Sequence, residues 1–220
     1  MQKIIIFLFP ANEARLGALR GQRFKKMVIF LFIGHIGLGS RVPMAIYAGF
    51  GSATLAVLWQ GVAKTLNITI GQASFAIAAA MVLFCWFYDR SQIHMGTIIY
   101  QIVYSFCIDL FAPYINYSAN KPINFIFMIL GLIIFSLGSA LYSAADFGKG
   151  SYEALTFAFV NKNGFSIQRV RIVLDIICVS GGALLGGKIG LCTVATILLS
   201  GVLLQQFVKL LKPIIGKIVG

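Results

Sequence analysis

Ala144-Ala145-Asp146-Phe147-Gly148-Lys149-Gly150-Ser151-Tyr152-Glu153-Ala154-Leu155 interrupts an otherwise apolar chain with two glycines, a serine and three charges. A plain lipid-facing helix does not tolerate this. Gly148 and Gly150 loosen the backbone, and Asp146, Lys149 and Glu153 are each costly in hydrocarbon. The segment therefore lies inside protein or against water. An echo of it stands earlier, at Ala48-Gly49-Phe50-Gly51-Ser52-Ala53-Thr54-Leu55-Ala56-Val57-Leu58.

The chain around these two stretches is far more apolar than a soluble domain: 59% of its 220 residues are hydrophobic, 11% are charged, and the mean hydropathy is +0.91. A polytopic membrane protein is predicted. The formal charge of +12 does not point to nucleic acid, because the basic residues stand mostly at the ends of apolar runs. Cys85, Cys107, Cys178 and Cys192 are isolated within apolar segments, without Cys-x-x-Cys or a neighbouring His at ligand spacing, and read as packing residues. The apolar run Ile4–Phe9 is too short for a signal-peptide core. Residues 1–26 read instead as a basic cytoplasmic or interfacial segment carrying Arg15, Arg20, Arg23, Lys25 and Lys26.

Spans follow from length. Met27 to about Tyr47 is long enough, at roughly 20 residues, to cross ~30 Å of hydrocarbon. Ala53–Leu66 falls short at about 1.5 Å per residue and reads as a half-helix. Further spans are predicted over Gln72–Tyr88, His94–Phe111 and Ile123–Ser143, with a polar loop at 113–122. A second short run covers Tyr152–Val160 and is closed by Gly164 as a helix stop. Ser166 caps the next span, Ile167–Leu185, and Ile189–Leu211 is the last. The expected architecture is all-α: six transmembrane helices plus two half-length, re-entrant or broken helices.

An internal repeat organises them. At an offset of 97, Phe30, Gly34, Ile36, Ala48, Phe50, Gly51, Leu58 and Ile70 fall on Phe127, Gly131, Ile133, Ala145, Phe147, Gly148, Leu155 and Ile167, and Thr69 falls on Ser166. After a one-residue deletion, Ile93, Thr97 and Phe111 fall on Ile189, Thr193 and Phe207. The repeats cover residues 27–112 and 123–211, with a basic cytoplasmic tail at 212–220. Three spans per repeat is an odd number, so the two copies are expected in inverted orientation. With both termini cytoplasmic, only Arg41, Lys64, Lys121 and Lys188 of the 18 Lys and Arg residues fall toward the outer face. Counting the short runs as full spans would give a parallel repeat and move Arg169 and Arg171 outside, against that bias.

Two half-helices entering from opposite faces bring their first turns, at Gly51-Ser52 and at Gly148-Lys149-Gly150-Ser151, to mid-membrane. Their free N–H groups and positive dipole ends there favour an anionic group. Gly51, Ser52, Gly148, Lys149, Gly150, Ser151, Tyr152 and Glu153 are therefore the candidate substrate-binding residues. The competing structural reading has the glycines permitting close packing and Ser52 and Ser151 acting only as N-caps. Glu153, whose repeat counterpart is Ala56, must be protonated, paired with Lys149 at i,i+4, or facing water. Asp175 lies near mid-membrane one turn beyond Arg171, either as a structural ion pair with it or as a coupling group. Asp146 and Asp109 complete the charged candidates; Asp109 falls on Gln205 in the repeat, which asks for a polar atom there more than for a charge. His35, Arg41 and Gln60 are secondary candidates. No metal constellation, cofactor motif or enzyme motif is present in the sequence.

The same residues carry a family resemblance. Ala145-Asp146-Phe147-Gly148-Lys149-Gly150-Ser151-Tyr152-Glu153, then Asn163-Gly164-Phe165-Ser166-Ile167, then Gly186-Gly187-Lys188-Ile189-Gly190-Leu191-Cys192-Thr193 resemble the YczE/YitT-like group of bacterial integral membrane proteins. That group shows Ala-Asp-Leu-Gly-x-Gly-Pro-Trp-Asp, then Gly-Leu-Ser-Ile-Gly, then Gly-x-Gly-Thr. Ser151-Tyr152-Glu153 stands where the group has Pro-Trp-Asp, and Ala56 where a carboxylate is often repeated. The resemblance implies a multi-pass protein of the bacterial cytoplasmic membrane and no defined substrate.

The expected function is a secondary transporter or exporter of a small organic solute, with an anionic group favoured and coupling to protons through Glu153 or Asp175. The alternatives are a non-transporting accessory protein and a substrate-capturing subunit of a multi-component importer. The expected partners are the lipid bilayer, a small solute, and a protein partner or a second copy.

Overall fold

The computed structural model describes residues 50–111, 121–144 and 149–219. The expected first span at 27–47, the basic segment before it, and the candidates His35, Arg41, Asp146 and Gly148 lie outside the described residues. Within them the chain is all-helical: α1 (Thr54–Leu66), α2 (Ile70–Tyr88), a 3-10 turn at Arg90–Gln92, α3 (Met95–Phe111), α4 (Lys121–Ala144), α5 (Ser151–Asn163), α6 (Ile167–Leu184) and α7 (Leu191–Val219). Several predicted boundaries move: α2 begins at Ile70 and α5 runs on to Asn163. Helix α4 begins within the expected loop, with Pro122 at a first-turn position where its missing N–H costs nothing. Helix α7 continues through the basic tail to Val219.

Element lengths recur at the offset of the sequence repeat. Helices α1 and α5 each have 13 residues and start 97 positions apart. Their N-caps, Ala53 and Gly150, share nearly identical dihedrals of φ −57°, ψ 153° and φ −54°, ψ 153°. Both helices end on a left-handed residue, Asn67 or Gly164. Both following helices start on a hydroxyl cap: Thr69 accepts from Gln72 N and Ser166 from Arg169 N. Gly71 N donates to Asp109 Oδ1, while Gln168 N, 97 residues later, donates to Gln205 Oε1.

The burial pattern is that of a helical membrane protein. Large apolar side chains such as Phe87, Phe106, Ile177 and Leu198 face outward, and Ser74, Thr97, Gln101, Asp175, Thr193 and Ser200 are buried. Among the described residues, two helices are long and apolar enough to cross a membrane, Ile70–Tyr88 and Leu191–Leu211. Met95–Leu110 and Met128–Ala140 are shorter apolar stretches.

The two short helices leave one level in opposite directions. Helix α1 starts beside Asp175 of α6 and ends beside the C-terminal end of α6, where Gly61 abuts Gly182 and Leu185. Helix α5 also starts beside Asp175, but it ends at the C-terminus of α2, where Lys162 Nζ donates to Tyr88 O and Asn163 to the Tyr88 hydroxyl. Helix α1 thus lies along α6, and α5 along α2. A Cβ at Gly182 would come within 2.5 Å of the Val57 carbonyl carbon, so α1 and α6 approach at backbone contact.

Candidate functional site

Asp175 joins the two helix tips. Its side chain is fully buried, and its Oδ1 accepts from Thr54 Oγ1, the first residue of α1, at 2.5 Å and from the Tyr152 hydroxyl in the first turn of α5 at 2.6 Å. Oδ2 accepts from Ser200 Oγ on α7 at 3.2 Å. A buried carboxylate needs such donors, and three hydroxyls on three helices supply them.

Beside this hub lies a buried ion pair. Arg171 Nη1 stands 3.3 Å from Glu153 Oε1, the guanidinium lies 4.3 Å from the centre of the Tyr152 ring, and Arg171 Nε is buried without a hydrogen-bond partner. The partner of Arg171 is thus Glu153, eighteen residues away on α5, and not Asp175 one turn along its own helix. Lys149 reaches the 3-10 turn with its side chain. Its Nζ donates to Gln92 Oε1 at 2.6 Å and sits 5.0 Å from the Phe157 ring centre, while its backbone N–H donates to Thr97 Oγ1.

Neither Ser52 nor Ser151 is an N-cap. The caps are Ala53 and Gly150, and neither makes a side-chain cap bond, so both short helices begin without one. Ser52 Oγ accepts from Gln60 Nε2 at 2.7 Å, and Gln60 Oε1 accepts from Lys188 N, which ties Ser52 to the segment before α7. The Ser52 carbonyl accepts from Thr193 Oγ1. Gly51, at φ +77°, lies so close to Gly190 that a Cβ would meet its nitrogen at 2.4 Å. Ser151 Oγ donates to Gln101 Oε1, and Gln101 Nε2 donates to Ser74 Oγ and Ser105 Oγ. That neutral cluster holds α5 against α2 and α3.

A cavity of about 50 Å³ opens between the tips, more than the roughly 10–15 Å³ one water requires. Its charged lining is Glu153 and Arg171; its polar lining includes Thr54, Gln101, Ser151 and Thr196. The rest is largely aromatic. Tyr100 and Tyr104 stack at 5.5 Å, and Trp59 meets Tyr104 edge-on at 6.1 Å.

The sequence candidates thus separate. Gly150, Ser151, Tyr152, Glu153, Arg171 and Asp175 converge at the cavity and its hub. Gly51, Ser52, Gln60 and Lys149 brace the polypeptide just before the tips. Asp109 is remote, accepting from Thr69 Oγ1 and Gly71 N where α2 begins. Thr54, Tyr100, Gln101, Tyr104, Trp59 and Ser200 are the residues that sequence reasoning missed. One signal was present: Thr54 and Ser151 are hydroxyl residues at the repeat offset, each the first residue of its helix.

Comparison with known proteins places the resemblance on firm ground. A family model described as a family of unknown function (DUF6198) matches residues 24–209. An uncharacterized protein of Haemophilus influenzae is 29% identical over 205 residues, covering 93% of each chain. The uncharacterized membrane protein YczE of Bacillus subtilis is 25% identical over 177 residues, 80% of this chain and 82% of its own length. The uncharacterized protein YyaS of the same organism is 23% identical over 186 residues, 82% of this chain and 91% of its own. No solved structure matches.

Proposed function

The chain belongs to the family of unknown function DUF6198, and we propose that it is a secondary transporter or exporter of a small organic solute in the bacterial cytoplasmic membrane. Its two halves would form inverted repeats of three spans and one half-helix each, with the tips of α1 and α5 meeting at mid-membrane. The observation that carries this reading is the shared carboxylate: Asp175 accepts from the first turns of two short helices that run in opposite directions. Basic residues support the orientation. Arg90, Lys162, Arg169 and Lys209 belong to the end where α2 and α5 finish and α6 starts, whereas Lys64 and Lys188 belong to the other.

The site carries the means for alternating access. Two carboxylates and one guanidinium leave one uncompensated negative charge buried between the tips, which a proton neutralises. The uncapped tips and Arg171 favour an anionic group carried by the solute. In proteoliposomes a saturable, pH-dependent solute flux is expected, lost in Glu153→Gln. Flux that is unchanged in that variant removes Glu153 from the mechanism.

A second reading rests on the size of the cavity, which is far below the ~300–1,000 Å³ of sites for larger organic ligands. A non-transporting accessory protein would keep such a packed interior. Its signature would be a stoichiometric partner on purification, with no flux.

A further inference from the structure

The two helix tips are not equally filled. In α5 the Glu153 side chain folds back over its own helix start: a Cβ on Gly150 would meet Glu153 Oε2 at 2.4 Å and Tyr100 Cε1 at 3.3 Å. The corresponding position in α1 is Ala56, which has no carboxylate, and Ala53, Thr54, Leu55 and Ala56 all line the cavity. The α1 tip is therefore open to the cavity where the α5 tip already carries an anion. Arg171, 3% exposed and with its Nε unpartnered, lines the same space. A ligand carboxylate at the α1 tip would meet both a helix N-terminus and a guanidinium with a donor to spare.

The opposite wall has the opposite character. Glu153 Oε1 is engaged by Arg171, which leaves Oε2 to accept from a ligand beside the Tyr100 ring. Tyr100, Tyr104 and Trp59 continue from there as an aromatic wall, suited to a small ammonium group. Charge balance decides between ligand classes. A lone anion would add to a cluster that already carries net negative charge, and a lone cation would face Arg171 and the α1 tip. A molecule carrying both charges leaves the buried charge unchanged.

We propose that the cavity binds a small zwitterion, a short α-amino acid, with its carboxylate at the α1 tip and Arg171 and its ammonium on Glu153 Oε2 and the Tyr100 ring. This deepens the transport reading and names its substrate class. The cavity volume admits only a few heavy atoms, so glycine and alanine are the fitting probes.

Trp59 lines the cavity, and the only other tryptophan, Trp86, lies at the far end of α2. In a Trp86→Phe background the fluorescence of purified protein reports the site. Glycine and alanine are expected to change Trp59 emission saturably, while propionate, lacking the ammonium, and ethylamine, lacking the carboxylate, bind at least tenfold more weakly. Glu153→Gln should weaken alanine at least tenfold without weakening propionate. Should loss of the ion pair impair folding, Glu153→Gln combined with Arg171→Gln removes both of its members and leaves the net charge of the site unchanged, and it should bind no alanine. Propionate equal to alanine, ethylamine equal to alanine, or no response to any of the probes overturns the proposal. Alanine binding without flux in proteoliposomes would instead overturn transport and leave the binding site standing.

Discussion

Asp175 is the residue on which the interior closes, since its two oxygens take three hydroxyl bonds from α1, α5 and α7. Hydrogen bonds inside membrane proteins are worth roughly 0.6 kcal/mol each on average, so removing three of them in Asp175→Ala should cost about 2 kcal/mol. Asp175→Asn should cost less than about 1 kcal/mol, because the amide oxygen still accepts from Thr54 and Tyr152, and the Ser200 hydroxyl can turn to accept from the amide nitrogen. Thermal unfolding in detergent separates the two. Equal melting temperatures for the two variants would show that these bonds do not hold the tips. The hub was only half legible in the sequence: the place of Asp175 halfway along α6 follows from the helix bounds, but its partners come from three helices whose order in space no local pattern specifies. For Arg171, spacing along α6 offered Asp175 as a partner, and the incoming α5 supplies Glu153 as the one it is hydrogen-bonded to.

At the scale of elements, the contact between α1 and α6 depends on one glycine of an adjacent pair. A methyl group on Gly182 would lie 2.5–2.6 Å from Val57 and Leu58 backbone atoms, whereas one on Gly181 would meet only Leu58 Cδ1, at an ordinary 3.5 Å. Gly182→Ala is therefore expected to destabilise by about 1–3 kcal/mol through overpacking. Gly181→Ala should be neutral or stabilise by up to about 1 kcal/mol through helix propensity. The ranking of melting temperatures across the pair tests the packing model, and a reversed order defeats it. The helices themselves were well marked in the sequence. Gly164 and Ser166 end α5 and begin α6 as their backbone chemistry requires, and Thr69 forms a capping box with Gln72. Ser52 and Ser151 misled for a physical reason: a hydroxyl near a helix start reads as a cap, yet tertiary partners, Gln60 and Gln101, took both side chains. The Gln101–Ser74–Ser105 cluster likewise left only isolated polar residues in apolar spans, a sign of interior position that does not name the neighbour.

For the whole molecule, the decisive property is that α1 and α5 diverge from one level. Leu66 at the end of α1 is 62% exposed, and Asn161 near the end of α5 is exposed as well. In a membrane with the termini cytoplasmic, these two positions should lie on opposite sides. Cysteines placed there can be tested in a Cys107→Ala background, because Cys85, Cys178 and Cys192 are buried. A membrane-impermeant maleimide applied to intact cells is expected to label Leu66→Cys and to spare Asn161→Cys; inverted membrane vesicles should give the reverse. Labelling of both from one side would mean that the short helices run the same way across the bilayer. The tips could not then meet from opposite faces, and Asp175 would join two neighbours rather than two halves. Alternating access depends on that difference: a site held between oppositely directed half-helices can be uncovered toward either face by a small rocking of one half against the other.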